Sequence, residues 1–249
     1  VETQENRYAV SLADYRHLYQ TYLSDPHLQE ARARWPFICI WDDHEFANDN
    51  FQSFSTYGGE HVLDARRKQS SSQAWFEYIP SVLNQLAAQP AHDFRPQELD
   101  GDESARNRAA LDSLRIYRQL SWGKYLDIVL TDSRSYRSPP CLPKDFAKSL
   151  GLPMNTVQLV EIADAGSAYA GLKYMDTTAN GYGLASFSAD ELQVQLITME
   201  DCRPDFVQAP AIRHVAKFRM AHWQRGEQPV LEGPEFEGGA PFPFDASTV

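Results

Sequence analysis

The sequence predicts a mixed α/β (α+β) fold, and three patterns predict it. Leu12, Tyr15, Leu18, Tyr19 and Tyr22 recur at three- and four-residue spacing, the stripe of a helix. Two short continuous apolar runs, 36–41 and 125–131, have the length and composition of strands buried on both faces. Over 191–199, Leu192, Val194 and Leu196 alternate with Gln193 and Gln195, the period of a strand with one wet face.

Each element has a local reason. The first helix covers 12–23, and Ser24-Asp25-Pro26 restarts the chain. Asp25 reads as the N-cap and Pro26 as a first-turn residue of a second helix through about 33, because proline there gives up no helical hydrogen bond. The apolar run 36–41 follows and stops abruptly at Asp42-Asp43-His44-Glu45. Gly58-Gly59 breaks the next loop, and a helix over 63–78 turns Ala74, Trp75, Tyr78 and Ile79 inward until Pro80 ends it. The polar stretch 89–108, with Pro90, Pro96 and Gly101, reads as a long exposed loop. Leu114, Ile116, Tyr117 and Leu120 lead to Trp122-Gly123, and with 125–131 they predict two strands joined by a tight turn. No period emerges over 138–179. Strands return over 183–188, 191–199 and 214–220, and the Gly- and Pro-rich stretch after Pro229 is expected to be irregular. The resulting division is a first segment 1–140, an interrupted region 141–180, and a strand-rich part 181–249 of the same domain.

The chain has 249 residues and a net charge of -11, from 34 acidic and 23 basic side chains, with no block of five like charges. That balance excludes a phosphate polymer such as nucleic acid as the expected partner. With 43% hydrophobic residues the chain can bury a substantial core. Cys39, Cys141 and Cys202 are far apart, so neither a zinc knuckle nor a disulfide framework is indicated. No apolar run reaches membrane-span length, and the first residues lack the basic start and apolar core of a signal peptide. The absence of an initiator Met leads us to expect a chain that begins inside a longer protein, and a processed or arbitrarily cut terminus fits equally well.

Chemistry is concentrated where the run 36–41 ends. Asp42, Asp43, His44 and Glu45, with Asn48, Asp49 and Asn50 behind them, put hard oxygen ligands and an imidazole in one corner. Carboxylate and amide oxygens suit Ca²⁺, Mg²⁺, Mn²⁺ or Fe³⁺ better than soft metals. A metal held there neutralises a phosphoryl oxygen and acidifies bound water, while His44 donates a proton or hydrogen bond to the same group. An equally good reading of the spacing is that Asp42 or Asp43 caps a helix over 44–48.

Other residues read as structural. Tyr15, Tyr19, Tyr22, Trp35 and Trp41 are expected in the core. Ser70-Ser71-Ser72 lacks a nucleophile elbow and reads as a solvated helix face. His61 and His92 read as surface residues, and Cys39 as an inert buried thiol. Asp127 interrupts an apolar strand and needs a partner or an edge position.

The run Asp25-Pro26-His27-Leu28-Gln29, then Trp35-Pro36-Phe37-Ile38-Cys39-Ile40-Trp41-Asp42-Asp43-His44-Glu45-Phe46-Ala47-Asn48-Asp49-Asn50, resembles the PhoD family of alkaline phosphatases and phosphodiesterases. Arg66-Arg67, Glu77-Tyr78-Ile79-Pro80, Tyr117-Arg118-Gln119-Leu120-Ser121-Trp122-Gly123 and Leu130-Thr131-Asp132-Ser133-Arg134-Ser135-Tyr136-Arg137 match it in the same order. The agreement spans roughly 12–140. A tryptophan-flanked DDHE followed by Asn-Asp-Asn is specific to that family.

The resemblance implies a metallophosphoesterase-like layered sheet core with flanking helices, hydrolysis of phosphate mono- and diesters, Fe³⁺ and Ca²⁺ as cofactors, and a periplasmic or secreted location. Its substrate partner is a small phosphate ester. Carried over by motif, Asp43 takes the metal-binding place before the histidine, with Asp42 beside it, and His44 faces the substrate phosphate as the catalytic residue. Asn48, Arg66 and Arg134 are candidate substrate contacts, the arginines on guanidinium chemistry, and Glu45 orders the loop. Two departures stand out. The family's Gly-Asp motif ahead of the DDHE segment is missing, since the only Gly-Asp pair is Gly101-Asp102, and a later Gly-Asp-x-His is missing too. The chain is therefore expected to be part of a longer enzyme. The alternative is a non-catalytic metal-binding or structural remnant, and the most remote reading is a carbohydrate-active enzyme using Asp42 and Asp132.

Overall fold

The computed structural model describes residues 8–56, 61–79, 94–124, 126–139, 174, 176, 180–200 and 211–239. The chain divides into two compact units, Val1–Lys144 and Asp145–Val249. The expected breaks at Gly58-Gly59 and Pro80, the positions of His92, Cys141 and Cys202, residue 125, and nearly all of the interrupted region lie outside the described residues.

In the first unit, helix α1 (Leu12–Leu23) starts in a capping box. The Ser11 hydroxyl accepts from the Asp14 N–H at 3.2 Å, and the Asp14 carboxylate accepts from the Ser11 N–H at 2.8 Å. Helix α2 (Pro26–Arg34) has Asp25 as N-cap and proline in its first turn, as the sequence predicts. Helix α3 (Ala65–Tyr78) is capped by Asp64 and buries Ala74 and Trp75, also as predicted. The same face buries Ser71 and Ser72, so the serine run is not solvated. At 68, 71, 72 and 75 the spacing makes one inward stripe, and tertiary packing outweighs the polarity of the residues on it.

Helix α4 (Glu103–Asp112) corrects the expected loop 89–108 over its last part. Gly101 takes a positive φ of 88° and Asp102 caps, accepting from the Ala105 N–H at 2.8 Å. The lone Gly-Asp pair is thus a helix start. Strong helix formers behind it carry the helix, and only Ala110 is buried, which is why no amphipathic stripe announces it.

Strands β1 (Phe54–Ser55) and β2 (Val62–Leu63) form a small antiparallel pair. Strands β3 (Arg118–Trp122) and β4 (Leu126–Leu130) form the predicted hairpin, with Gly123 at a φ of 66° in the turn. Its faces alternate rather than being buried on both sides, and Asp127 is exposed with the Ser121 hydroxyl donating to it at 2.6 Å. The run 36–41 forms no regular element and pairs with no strand among the described residues. Phe37, Ile38 and Ile40 are 40%, 45% and 41% exposed, so the expected doubly buried strand is corrected to an unpaired segment that buries mainly Trp41. Apolar content supplies the tendency to extend; a ladder needs neighbours.

The core of this unit is Trp41, Trp75, Leu114 and Ile116, with the two indoles edge to face at 5.3 Å. A smaller cluster joins Ala9, Tyr15 and Ala74. Tyr15 and Trp41 are core as expected and Tyr19 is partly buried against both clusters, but Tyr22 and Trp35 are exposed, since α1 and α2 each present only one side to the core.

The second unit is an antiparallel meander, β5 (Gly181–Phe187), β6 (Glu191–Met199), β7 (Ile212–Ala221) and β8 (Glu232–Gly238), in sequential order. The first three are the predicted strands. β8 overturns the expected irregular end: a register shift opposite Lys217 and Arg219 accommodates Gly233 and Pro234, so breaker residues sit in an edge strand. Its inner face buries His214, whose Nε2 lies 2.7 Å from the Tyr174 hydroxyl and 3.0 Å from that of Thr198. All described sheets are antiparallel, which supports the mixed α/β (α+β) class at its coarse level.

Candidate functional site

The corner is built outward from the end of the unpaired segment 36–41. Trp41, held in the core, donates through Nε1 to Asp132 Oδ1 at 2.9 Å. The same oxygen accepts the Arg134 and Ser135 N–H groups at 3.1 and 2.9 Å. Asp132 therefore folds its own segment and ties it to the end of 36–41, which brings Arg134 opposite the acidic run. These bonds engage Asp132 in positioning, and nothing in its geometry supports the glycosidase reading.

Beyond Trp41 the chain turns without forming a helix over 44–48. The Phe46 and Ala47 N–H groups both donate to the Asp43 carbonyl, at 2.9 and 2.8 Å. The Asp43 carboxylate accepts instead from the Asp49 N–H at 2.8 Å, and Asp49 takes a φ of 55° to present it. The helix-cap reading is thus corrected: the acidic pair serves a compact turn. Glu45 accepts the Asp42 N–H at 2.8 Å and orders the loop.

Arg134 closes the corner. Its Nε donates to Asp42 Oδ1 at 2.6 Å, its Nη1 to the Asn50 carbonyl at 3.3 Å, and its Nη2 lies 3.8 Å from Asp43 Oδ1. His44 Nε2 lies 3.8 Å from Asp43 Oδ2, and its side chain is 70% exposed. Burial works to raise the Asp43 carboxyl, but the Asp49 N–H, Arg134 and His44 together outweigh it and hold the group below the usual carboxylate range. Of the residues singled out by sequence, Asp42, Asp43, His44 and Arg134 come together. Asn48 lies in the same loop with its amide donating to Asp49 at 2.7 Å. Arg66 is exposed on α3 with no contact to the corner.

The neighbouring Arg67 is the structurally engaged arginine. It donates through Nε to the Tyr15 hydroxyl at 2.8 Å and through Nη2 to the Phe46 carbonyl at 3.1 Å, fixing α1, α3 and the loop to one another. Sequence reasoning missed Lys68. Its ammonium lies 4.1 Å from the Trp41 ring centroid and 5.5 Å from that of Phe46, and the residue is only 3% exposed. Burial pushes its pKa down to about 8, against the opposing pull of Asp132 and Glu45. Its place on the α3 stripe with Ser71, Ser72 and Trp75 is the signal that would have found it. Cys39 is half-buried, and burial raises its thiol, as expected of an unreactive cysteine.

As a donor set for Fe³⁺ and Ca²⁺ the described residues fall short. Asp42 and Asp43 are engaged by Arg134 and by Asp49, and no group of three or more His, Cys, Asp or Glu side chains gathers among the described residues. Calcium alone takes about six to eight oxygens. No described helix is long and apolar enough to cross a membrane.

Comparison with known proteins adds three findings. The family model of PhoD-like phosphatases matches residues 1–171. Alkaline phosphatase D of Bacillus subtilis (strain 168) is 25% identical over 137 residues, covering 55% of this chain and 20% of that protein, so the chain spans about a fifth of that relative's length. No solved structure matches. The match of the family model covers the whole loop from Trp41 to Asn50 and the Asp132 to Arg137 segment that meets it, and the chain belongs to the PhoD-like phosphatase family.

Proposed function

We propose that this chain forms part of a phosphoric ester hydrolase acting on phosphate mono- or diesters, and that the corner of Asp42, Asp43, His44 and Arg134 is its contribution to the active site. The observation that carries the reading is the convergence of Arg134 on Asp42 and Asp43 beside an exposed His44, within the family-matched region. The two carboxylates and the Asn50 carbonyl hold the Arg134 fork in place, and a guanidinium is the group suited to planar recognition of phosphoryl oxygens. His44, in reach of solvent, binds a phosphoryl oxygen or hands a proton to the departing alkoxide. Fe³⁺ and Ca²⁺, and export to a periplasmic or secreted location, enter this proposal from the family resemblance; the metal pair would take most of its ligands from outside the described residues.

The test is hydrolysis of an aryl phosphodiester by the intact protein with Fe³⁺ and Ca²⁺ supplied. We expect His44→Ala to lose about 10²- to 10⁴-fold in rate with unchanged thermal unfolding, as its exposure implies. Wild-type rates in the variant remove His44 from the mechanism. One observation favours a second reading, a non-catalytic remnant: Arg134 occupies the carboxylates that would otherwise face a cation. Absence of bound metal together with absence of turnover in the intact protein selects it.

A further inference from the structure

His44 has a second neighbourhood. It also lines a cavity of about 330 Å³ whose walls include Tyr8, Tyr15, Tyr19 and Tyr22 together with Leu18, Phe46, Glu45 and Arg67. That volume lies within the range of small-ligand sites, roughly 300 to 1,000 Å³. The back wall is rigid: the Tyr15 hydroxyl donates to the Phe46 carbonyl at 2.7 Å, and Arg67 donates to both residues. The front is open, since Tyr8 and Tyr22 are 59% and 53% exposed. Tyr19 stacks on Tyr78 at 5.6 Å, and its buried hydroxyl has no hydrogen-bond partner among the described residues.

We infer that this cavity is the subsite for the alcohol side of the substrate, and that it selects phosphate esters of an aromatic alcohol, the ring held among Tyr8, Tyr19 and Tyr22 while the phosphate lies at His44 and Arg134. The inference rests on the phosphoesterase reading for the position of the phosphate. Four phenol rings line the cavity with flat apolar faces, which suit a ring rather than a polyol. Glu45 and Arg67 carry opposite charges and are engaged with the loop, so neither net anion nor net cation is favoured inside. His44 is shared by the cavity and the corner, which places the bond between phosphorus and the alcohol oxygen at their junction.

The experiment measures binding of phenylphosphonate and methylphosphonate, neither of which carries an ester bond, to the intact protein by calorimetry. Wild type should bind the phenyl compound about three- to ten-fold more tightly, the range that one ring-on-ring contact supplies. Tyr22→Ala should bring the ratio close to one, and Tyr22→Phe, which keeps the ring, should restore it. Equal affinity for the two compounds, or failure to bind either, overturns the subsite. Equal affinity with ester hydrolysis intact leaves the phosphoesterase reading standing. A phenyl preference that depends on Tyr22, in a protein that hydrolyses no ester, supports the subsite and removes that reading.

Discussion

Lys68 shows how a single residue carries a cost that its neighbours only partly offset. An ammonium enclosed by two aromatic faces loses most of its hydration, and the nearest carboxylates, Asp132 and Glu45, act at a distance. With a pKa of about 8 in the fold against 10.5 ordinarily, the unfolded chain binds more proton between those values. The stability of the fold therefore rises with pH from about 8 to about 10.5, by about 3 kcal/mol in total. Lys68→Met should abolish that rise and add about 1 kcal/mol at neutral pH, read from urea midpoints of the two proteins across the alkaline range. A slope identical in both proteins would show that Lys68 is not its source. Asp43 works in the opposite sense. Its depressed pKa contributes stability above the ordinary carboxylate range, and that contribution fades as acid titrates the group through its lower folded value.

At the level of elements, caps and turns behaved as local chemistry dictates, while pairing did not. Asp25, Asp64 and Asp102 each cap a helix by the same side-chain bond to a backbone N–H, and two of those helices were legible from the start. The third was hidden because its residues are polar on nearly every side. Strand β8 was hidden for a related reason: Gly233 and Pro234 read as breakers, and only the ladder with β7 makes them a strand. Gly233 has a φ of 104°, and a Cβ there would sit 2.5 Å from the Lys217 carbonyl oxygen. Gly233→Ala should therefore destabilise the meander by about 1–3 kcal/mol, measured as a lower denaturation midpoint. A neutral effect would mean that the register shift relaxes at no cost.

At the scale of the first unit, one indole cluster connects the site to the core. Trp75 on α3 packs against Trp41, Trp41 bonds Asp132, and Asp132 orders the turn that presents Arg134. Removing Trp75 should therefore be felt twice. Trp75→Ala is expected to cost about 3–5 kcal/mol, measured by chemical denaturation, and to lower the aryl phosphodiesterase rate at a temperature where the variant is still folded. A full loss of stability without a change in rate per folded molecule would separate the core from the corner.

The sequence by itself determined the local features: the stripe on α1, the caps of α2 and α3, the β3–β4 hairpin, three strands of the meander, the family, and the loop in which the acidic residues and His44 lie. These depend on contacts between residues near in sequence, or on motifs dense enough to be read without a partner. Only the tertiary structure decided that 36–41 stays unpaired, that Ser71, Ser72 and Lys68 are buried, that Arg67 rather than Arg66 is structurally engaged, and that Arg134 meets Asp42 across 92 positions of chain. Burial and long-range pairing are properties of what packs opposite a residue, and a polar side chain at an inward helical position carries no mark of the aromatic rings that will enclose it.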